Sequence, residues 1–276
     1  MKIHIDIDCF FVSAARIKEP LLHGRPVAIG GRSDTKIFNK EAKCQSVNLE
    51  NSGSFVPTFY KAYEEKDDDI DAFRDEDGRV RGILTTSSYE ARAYGVKTAM
   101  SIKEALGLCP HLIIKAPDMS LYQKLSHELH EFLQTKIPLV AQASIDEFYG
   151  DLSGWVEDGD IESFIDDLRH EIKDVIKLPV SIGAAPTRYI AKLATTHAKP
   201  FGCKVVYPHE LESFIEKIPV GEFAGIGKSM KEKLQSVQIH TLGELKRRRG
   251  TLESWGPYAK ELYARVCGLS DDEIQT

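Results

Sequence analysis

Residues 2–8 alternate strictly, with Ile3, Ile5 and Ile7 in one phase and His4, Asp6 and Asp8 in the other. A period of two belongs to a strand with one buried face. A chain that opens in this way must build a sheet, and that sheet must carry Asp6 and Asp8 on its polar face. Further strands are expected at residues 26–30, 82–86, 112–115, 180–184 and 204–207. Residues 140–152 read as a strand, a tight bend and a return strand, with Ser144, Ile145, Asp146 and Glu147 near the bend. Between the strands lie helical patterns at 10–19, closed by Pro20, and at 89–94, 101–107, 118–136, 161–177 and 187–199. Asp118 caps the third-from-last of these, with Leu121, Leu125, Leu129 and Phe132 spaced for one apolar face. Strands interleaved with helices predict an α/β or α+β layered domain.

Residues 32–82 interrupt this pattern. They show little periodicity, and at their centre residues 64–77 carry nine acids against two bases. The stretch reads as an insertion, partly mobile, because it buries too little apolar surface to offset its ordering entropy. It also explains the charge of the chain. A net charge of −6 argues at first against a nucleic-acid partner, but removing the −7 of this block leaves +1 for the other residues. Nucleic acid is therefore not excluded. The length of 276 residues suits about two domains. No apolar run approaches the ~18 residues of a membrane span, and acids stand where a signal peptide would be apolar; a cytoplasmic protein without a membrane partner is expected. Five separated cysteines with no CxxC pair point to reduced thiols.

After Pro208 the elements become short and helical, and a small separate domain is expected from about 208 onward. Within it Gly225, Ile226 and Gly227 join two helical stretches, and residues 222–250 hold seven bases against three acids. A glycine turn opening a helix can approach a phosphate closely, and a basic helix suits contact with nucleic-acid backbone without reading bases.

Three carboxylates stand out as chemistry: Asp6 on the first strand, and Asp146 with Glu147 at the hairpin. Hard oxygen donors of this kind suit Mg²⁺, and two such ions can clamp the attacking and leaving oxygens of a phosphoryl transfer. A solvated or capping role is the plain alternative for each acid alone. Tyr89 and Arg92, at i and i+3, share a helix face, and an arginine fork with a phenol suits a triphosphate. Lys199, before Pro200 and Gly202, reads by itself as a surface lysine at a helix C-terminus. Phe11 by itself reads as a core phenylalanine.

Together, the segments Asp6 to Phe11, Arg25 to Ala28, Ser88 to Val96, Ser144 to Glu147, Ala198 to Gly202 and the Gly225–Gly227 turn resemble, in order, the Y-family DNA polymerases, particularly their DinB-like branch. The resemblance implies an α+β fold. It comprises a ferredoxin-like split βαβ palm (1–19 and 118–207), a small inserted fingers domain (20–117), and a helical thumb (208–276) with a helix-hairpin-helix-like turn. It implies a DNA-directed DNA polymerase of the translesion, low-fidelity type. Asp6, Asp146 and Glu147, with the Ile7 carbonyl, would hold two Mg²⁺ ions, Mn²⁺ being able to substitute. Phe10, Phe11, Tyr89, Arg92 and Lys199 match the dNTP-binding positions, Phe11 as the steric gate against a 2′-hydroxyl. Ile83 and Thr85 match the roof over the templating base, and Gly225, Gly227 and Lys228 the contacts to DNA backbone. The implied partners are primer-template DNA, dNTPs and, through a C-terminal region beyond Thr276, a sliding clamp.

Two departures from the family pattern are expected to matter. The insertion at about 32–81 lengthens the fingers, and its acids should lie away from the template path. The chain also stops after the thumb, before the DNA-gripping little finger, so weak DNA binding and poor processivity are expected. Two other readings stay open: a palm-fold nucleotidyl cyclase, which would not need the basic domain, and a non-catalytic DNA-binding protein.

Overall fold

The computed structural model describes residues 1–31, 70–74, 77–270 and 273–274. Most of the 32–81 insertion, including Cys44 and most of its acidic block, lies outside the described residues. In chain order the elements are β1 (Lys2–Ile7), α1 (Phe10–Lys18), β2 (Val27–Gly31), β3 (Ile83–Ser87), α2 (Tyr89–Ala93), α3 (Ile102–Leu108), β4 (Ile113–Lys115), α4 (Met119–Lys136), β5 (Leu139–Gln142) and β6 (Glu147–Asp151). There follow α5 (Ile161–Val175), β7 (Val180–Ala185), α6 (Arg188–Ala198), β8 (Cys203–Val205), α7 (Leu211–Ile215), α8 (Lys228–Ser236), α9 (Leu242–Lys246), α10 (Arg249–Ser254) and α11 (Pro257–Val266). The chain divides into two compact units, one comprising Met1–Asp8, Glu128–Gln142 and Asp146–Thr276, the other Cys9–His127 with Ala143–Ile145.

The first unit is built on a five-stranded sheet in the order β5-β6-β1-β7-β8, with β1 antiparallel to both β6 and β7, and β8 parallel to β7. The alternation of β1 sets its faces: Ile3, Ile5 and Ile7 are fully buried, while His4, Asp6 and Asp8 share the opposite face. Helix α6 packs closely over that second face, and Gly183 of β7 permits the approach. A Cβ at Gly183 would lie 2.2 Å from the Ala191 carbonyl oxygen and 2.4 Å from the Thr195 nitrogen. The outer side of α6, through Ile190 and Leu193, shares one apolar cluster with Leu211, Leu234, Leu242, Leu252 and Leu262 of the C-terminal helices.

The second unit has a three-stranded sheet in the order β3-β2-β4, with β2 antiparallel to β3 and parallel to β4. Ala28, Leu84, Ala91, Ile102 and Ile114 form its core. Here the insertion ends earlier than its lack of periodicity predicts. Ile70–Phe73 form a 3-10 turn, Phe73 is 1% exposed, and its ring lies against Gly30, where a Cβ would meet it at 2.9 Å. An antiparallel bridge between Arg74 and Val80, and a hydrogen bond that the Arg81 amide donates to the Phe73 carbonyl (2.8 Å), lead the chain into β3. One aromatic ring, rather than a repeating pattern, anchors this segment, and a search for periodicity passes over it.

Helix α4 also corrects an expectation. Its buried residues are Tyr122, Leu125, Ser126, Leu129 and Leu133, while Leu121 and Phe132 are half-buried flanks. Tyr122, whose ring stacks on Phe11 at 4.3 Å, carries the apolar face that the leucines alone suggested was centred one residue earlier. Cys9 and Cys109 are buried and Cys203 and Cys267 half-buried, all four as free thiols. No described helix is long and apolar enough to cross a membrane.

Candidate carboxylate and metal centre

In an antiparallel pair, residues directly opposite each other send their side chains to the same face. The β1–β6 register sets Asp6 opposite Glu147 and His4 opposite Tyr149, and the β1–β7 register sets Asp6 opposite Ser181. The Asp6 and Glu147 carboxylates, remote in sequence, therefore converge on the α6 side of the sheet. Asp146 precedes β6, and its carbonyl accepts the Ile7 amide at 3.0 Å, which ties the end of β1 to the bend.

Each carboxylate has a lysine. Lys199, just beyond α6, places Nζ on Asp6 Oδ1; Lys192, within α6, places Nζ 2.7 Å from Glu147 Oε1. Both carboxylates are largely enclosed, at 14% and 23% exposure. Burial raises the Asp6 carboxyl to about 6, against the opposing charge of Lys199 and with added repulsion from Asp146 and Glu147. Burial works the same way on Glu147, but there the adjoining His4 ring and the hydrogen bonds and charge of Lys192 prevail and hold it down at about 2. Two adjacent carboxylates thus have opposite tendencies.

His4 lies beneath α6, 1% exposed. Thr195 Oγ1 lies 2.9 Å from its Nδ1, and its Nε2 is 3.7 Å from Glu147 Oε2. Burial lowers its pKa, so it is neutral at pH 7. One ligand atom each from His4, Asp6 and Glu147 lies within 4.8 Å of the others. The site thus fits a divalent cation: hard oxygen donors converge, and the lysine ammonium groups on them stand as counter-charges that a bound cation would displace.

The other expected residues fall in different places. In the second unit, Ser88 caps α2 by accepting the Ala91 amide at 3.2 Å, and Arg92 lies 4.9 Å over the Tyr89 ring while donating to the Ser87 carbonyl at 3.0 Å. Phe10 is 3% exposed and Phe11 half-buried. Ile83 is 38% exposed at the start of β3, and Thr85 donates its hydroxyl to the Ile29 carbonyl at 3.1 Å. In the first unit, Gly225 turns at φ 96°, its carbonyl accepts the Tyr258 hydroxyl, and Gly227 opens α8 with Lys228 exposed beside it. Lys192 was missed by sequence reasoning, yet a signal existed: it precedes Lys199 by seven residues, two helical turns, on the same face.

Known proteins resemble the chain in sequence and fold. The impB/mucB/samB family model matches residues 5–196. DNA polymerase IV of Pseudomonas putida (strain GB-1) is 30% identical over 276 residues, covering 99% of this chain and 65% of the relative. DNA polymerase IV of Pseudomonas syringae pv. tomato is 29% identical over the same shares. The chain thus spans about 65% of the length of these curated relatives. Among solved structures, an insertion ternary complex of Dbh DNA polymerase superposes with a TM-score of 0.77 at 22% identity, over 99% of this chain and 69% of that one. DinB from Sulfolobus solfataricus gives 0.74 at 23% identity, over the same shares. The mixed α+β fold is that of the Y-family polymerases, and the chain belongs to the impB/mucB/samB family.

Proposed function

We propose that this chain is the catalytic core of a template-directed DNA polymerase of the translesion, low-fidelity type, which adds dNTPs to a primer 3′-hydroxyl and releases pyrophosphate. The observation that carries the reading is the pairing of Asp6 with Glu147 across β1 and β6, each matched by a lysine. The family match over residues 5–196 supports it.

Asp6, Asp146 and Glu147, with the Ile7 carbonyl, would hold two Mg²⁺ ions, or Mn²⁺ in their place. Bound there, the ions would lower the pKa of the primer hydroxyl and neutralise charge on the leaving pyrophosphate. The chain's own residues have the remaining tasks. Glu147, its carboxyl held down at about 2, is ionised at neutral pH and ready as a ligand without losing a proton. Lys199, on Asp6 here, would be freed by a cation bound at that carboxylate and would then bind phosphate oxygens. Arg92 and Tyr89 hold the triphosphate, the guanidinium being able to bind it in a bidentate manner. The Phe11 ring, backed by Phe10 and Tyr122, occupies the space a ribose 2′-hydroxyl would need. Ile83 and Thr85 roof the templating base. Gly225, Gly227 and Lys228 grip duplex backbone without reading sequence. On this reading residues 1–19 and 118–207 are the palm, residues 20–117 the fingers and residues 208–276 the thumb.

Primer extension with Mg²⁺ and dNTPs tests the proposal. Asp146→Ala is expected to abolish incorporation while leaving the circular dichroism spectrum native. Incorporation that survives this change overturns the assignment, as does a cyclic nucleotide product formed without DNA.

A further inference from the structure

The turn at residues 199–202, between α6 and β8, holds an unfavourable backbone. Phe201 stands at φ 42°, in the left-handed region that a non-glycine residue keeps only where its surroundings over-determine it. Several groups hold it there. The Phe201 amide donates to Asp8 Oδ2 at 2.6 Å, and Arg169 Nη1 donates to the Phe201 carbonyl at 3.0 Å. The Arg169 guanidinium and the Lys173 ammonium lie 4.6 Å and 4.2 Å from the centroid of its ring.

Asp8 is 3% exposed, and its carboxylate also accepts the Ser181 hydroxyl, at 3.1 and 2.9 Å from its two oxygens. Ser181 belongs to β7, so the sheet also holds the carboxylate that the turn's amide meets. A buried charge that accepts such bonds is costly to move. Gly202 lets the turn fold back under the helix end, since a Cβ there would lie 2.2 Å from the Ala198 carbonyl oxygen. Two residues before the clamped amide stands Lys199, with its ammonium on Asp6.

We infer that Asp8 is a positioning residue for Lys199: its buried carboxylate clamps the Phe201 amide and so aims the Lys199 ammonium at the carboxylate centre, where it meets the triphosphate of an incoming nucleotide. The identity of that ligand rests on the polymerase reading; the clamp does not. Asp6, in β1, and Asp8, just beyond its end, divide the work, one facing Glu147 and the other fixing the turn that carries its lysine.

Steady-state primer extension with the full chain, Mg²⁺ and dNTPs is the first test. Asp8→Ala is expected to raise the KM for dNTP by about tenfold with a much smaller change in kcat. Asp8→Asn, whose amide oxygen can still accept the Phe201 N–H, is expected to recover most of that loss. In a Lys199→Ala background Asp8→Ala should add nothing, because the two residues act as one unit. Losses that multiply, or an Asp8→Asn as damaging as Asp8→Ala, overturn the inference.

A second readout needs no polymerisation. Acylation of Lys199 by an amine reagent, followed by peptide mass spectrometry, is expected to quicken in Asp8→Ala and to hold near the wild-type rate in Asp8→Asn. An unchanged rate in Asp8→Ala counts against the clamp. A wild-type chain that cannot extend primers defeats the polymerase reading, and the acylation rate then decides the clamp alone. Should Asp8→Ala not fold, Arg169→Met releases the Phe201 carbonyl from the other side and is expected to show the same faster acylation; its absence overturns the inference.

Discussion

Gly183 shows how much a single missing side chain can decide. Any Cβ there would collide with the Ala191 carbonyl and the Thr195 amide, both helix backbone. Neither can swing aside as a flexible side chain would, so α6 itself must shift. Gly183→Ala is expected to cost about 3 kcal/mol or more, read as a lower midpoint in urea unfolding. Because α6 carries Lys192 and leads into Lys199, the same change should weaken dNTP use. Phe11 makes a separate prediction at this scale. Phe11→Ala should admit ribonucleotides in primer extension, and unchanged sugar discrimination would remove Phe11 from the gate role.

Short elements in the second unit depend on cross-links rather than on their own helical propensity, since five residues cannot sustain a helix alone. Helix α2 is tied to α1 by Arg16, whose Nη2 lies 2.9 Å from both oxygens of Glu90. Partial burial opposes ionisation of Glu90, but the bonds from Arg16 outweigh it and hold the carboxyl below its ordinary value of 4.5. A carboxyl lowered on folding adds stability that is present above the unfolded pKa and is lost as pH falls through the folded one. Glu90→Gln should therefore lose about 1 kcal/mol at pH 7, and the gap from wild type should begin to narrow near pH 4.5 and close as pH falls through the lower folded pKa in acid unfolding curves. The Ile70–Phe73 turn makes a sharper case. Phe73→Ala is expected to cost about 3–5 kcal/mol, checked by thermal unfolding, because it empties a site in the core beside Gly30.

Over the whole molecule, charge is divided rather than averaged. The sequence carries −7 in residues 64–77, while seven bases gather at 222–250. The proposed grip on DNA should therefore weaken steeply with salt, since neutralising each phosphate releases counterions. Lys228→Ala is expected to weaken binding equally across DNA sequences and to reduce the salt slope by about 1, measured by fluorescence anisotropy at several salt concentrations.

The alternation of residues 2–8 determined that Asp6 and Asp8 would share a polar face with His4, and the remaining patterns located the described strands and the α-helices before residue 208 to within a residue or two, while α7–α11 were expected only as short helical stretches. Motif order determined the family as well. These are local signals, because side-chain phase and turn chemistry are set by near neighbours. The convergence of Asp6 with Glu147 was not local: it depends on a strand register that only packing decides. The lysines on both carboxylates depend in turn on the close approach of α6 over Gly183. Phe73 escaped notice because a lone anchor has no period, and the contact of Asp8 with the turn because its partner, the Phe201 amide, is backbone. The sequence thus supplied the donors and their phase, while the tertiary structure decided which of them meet.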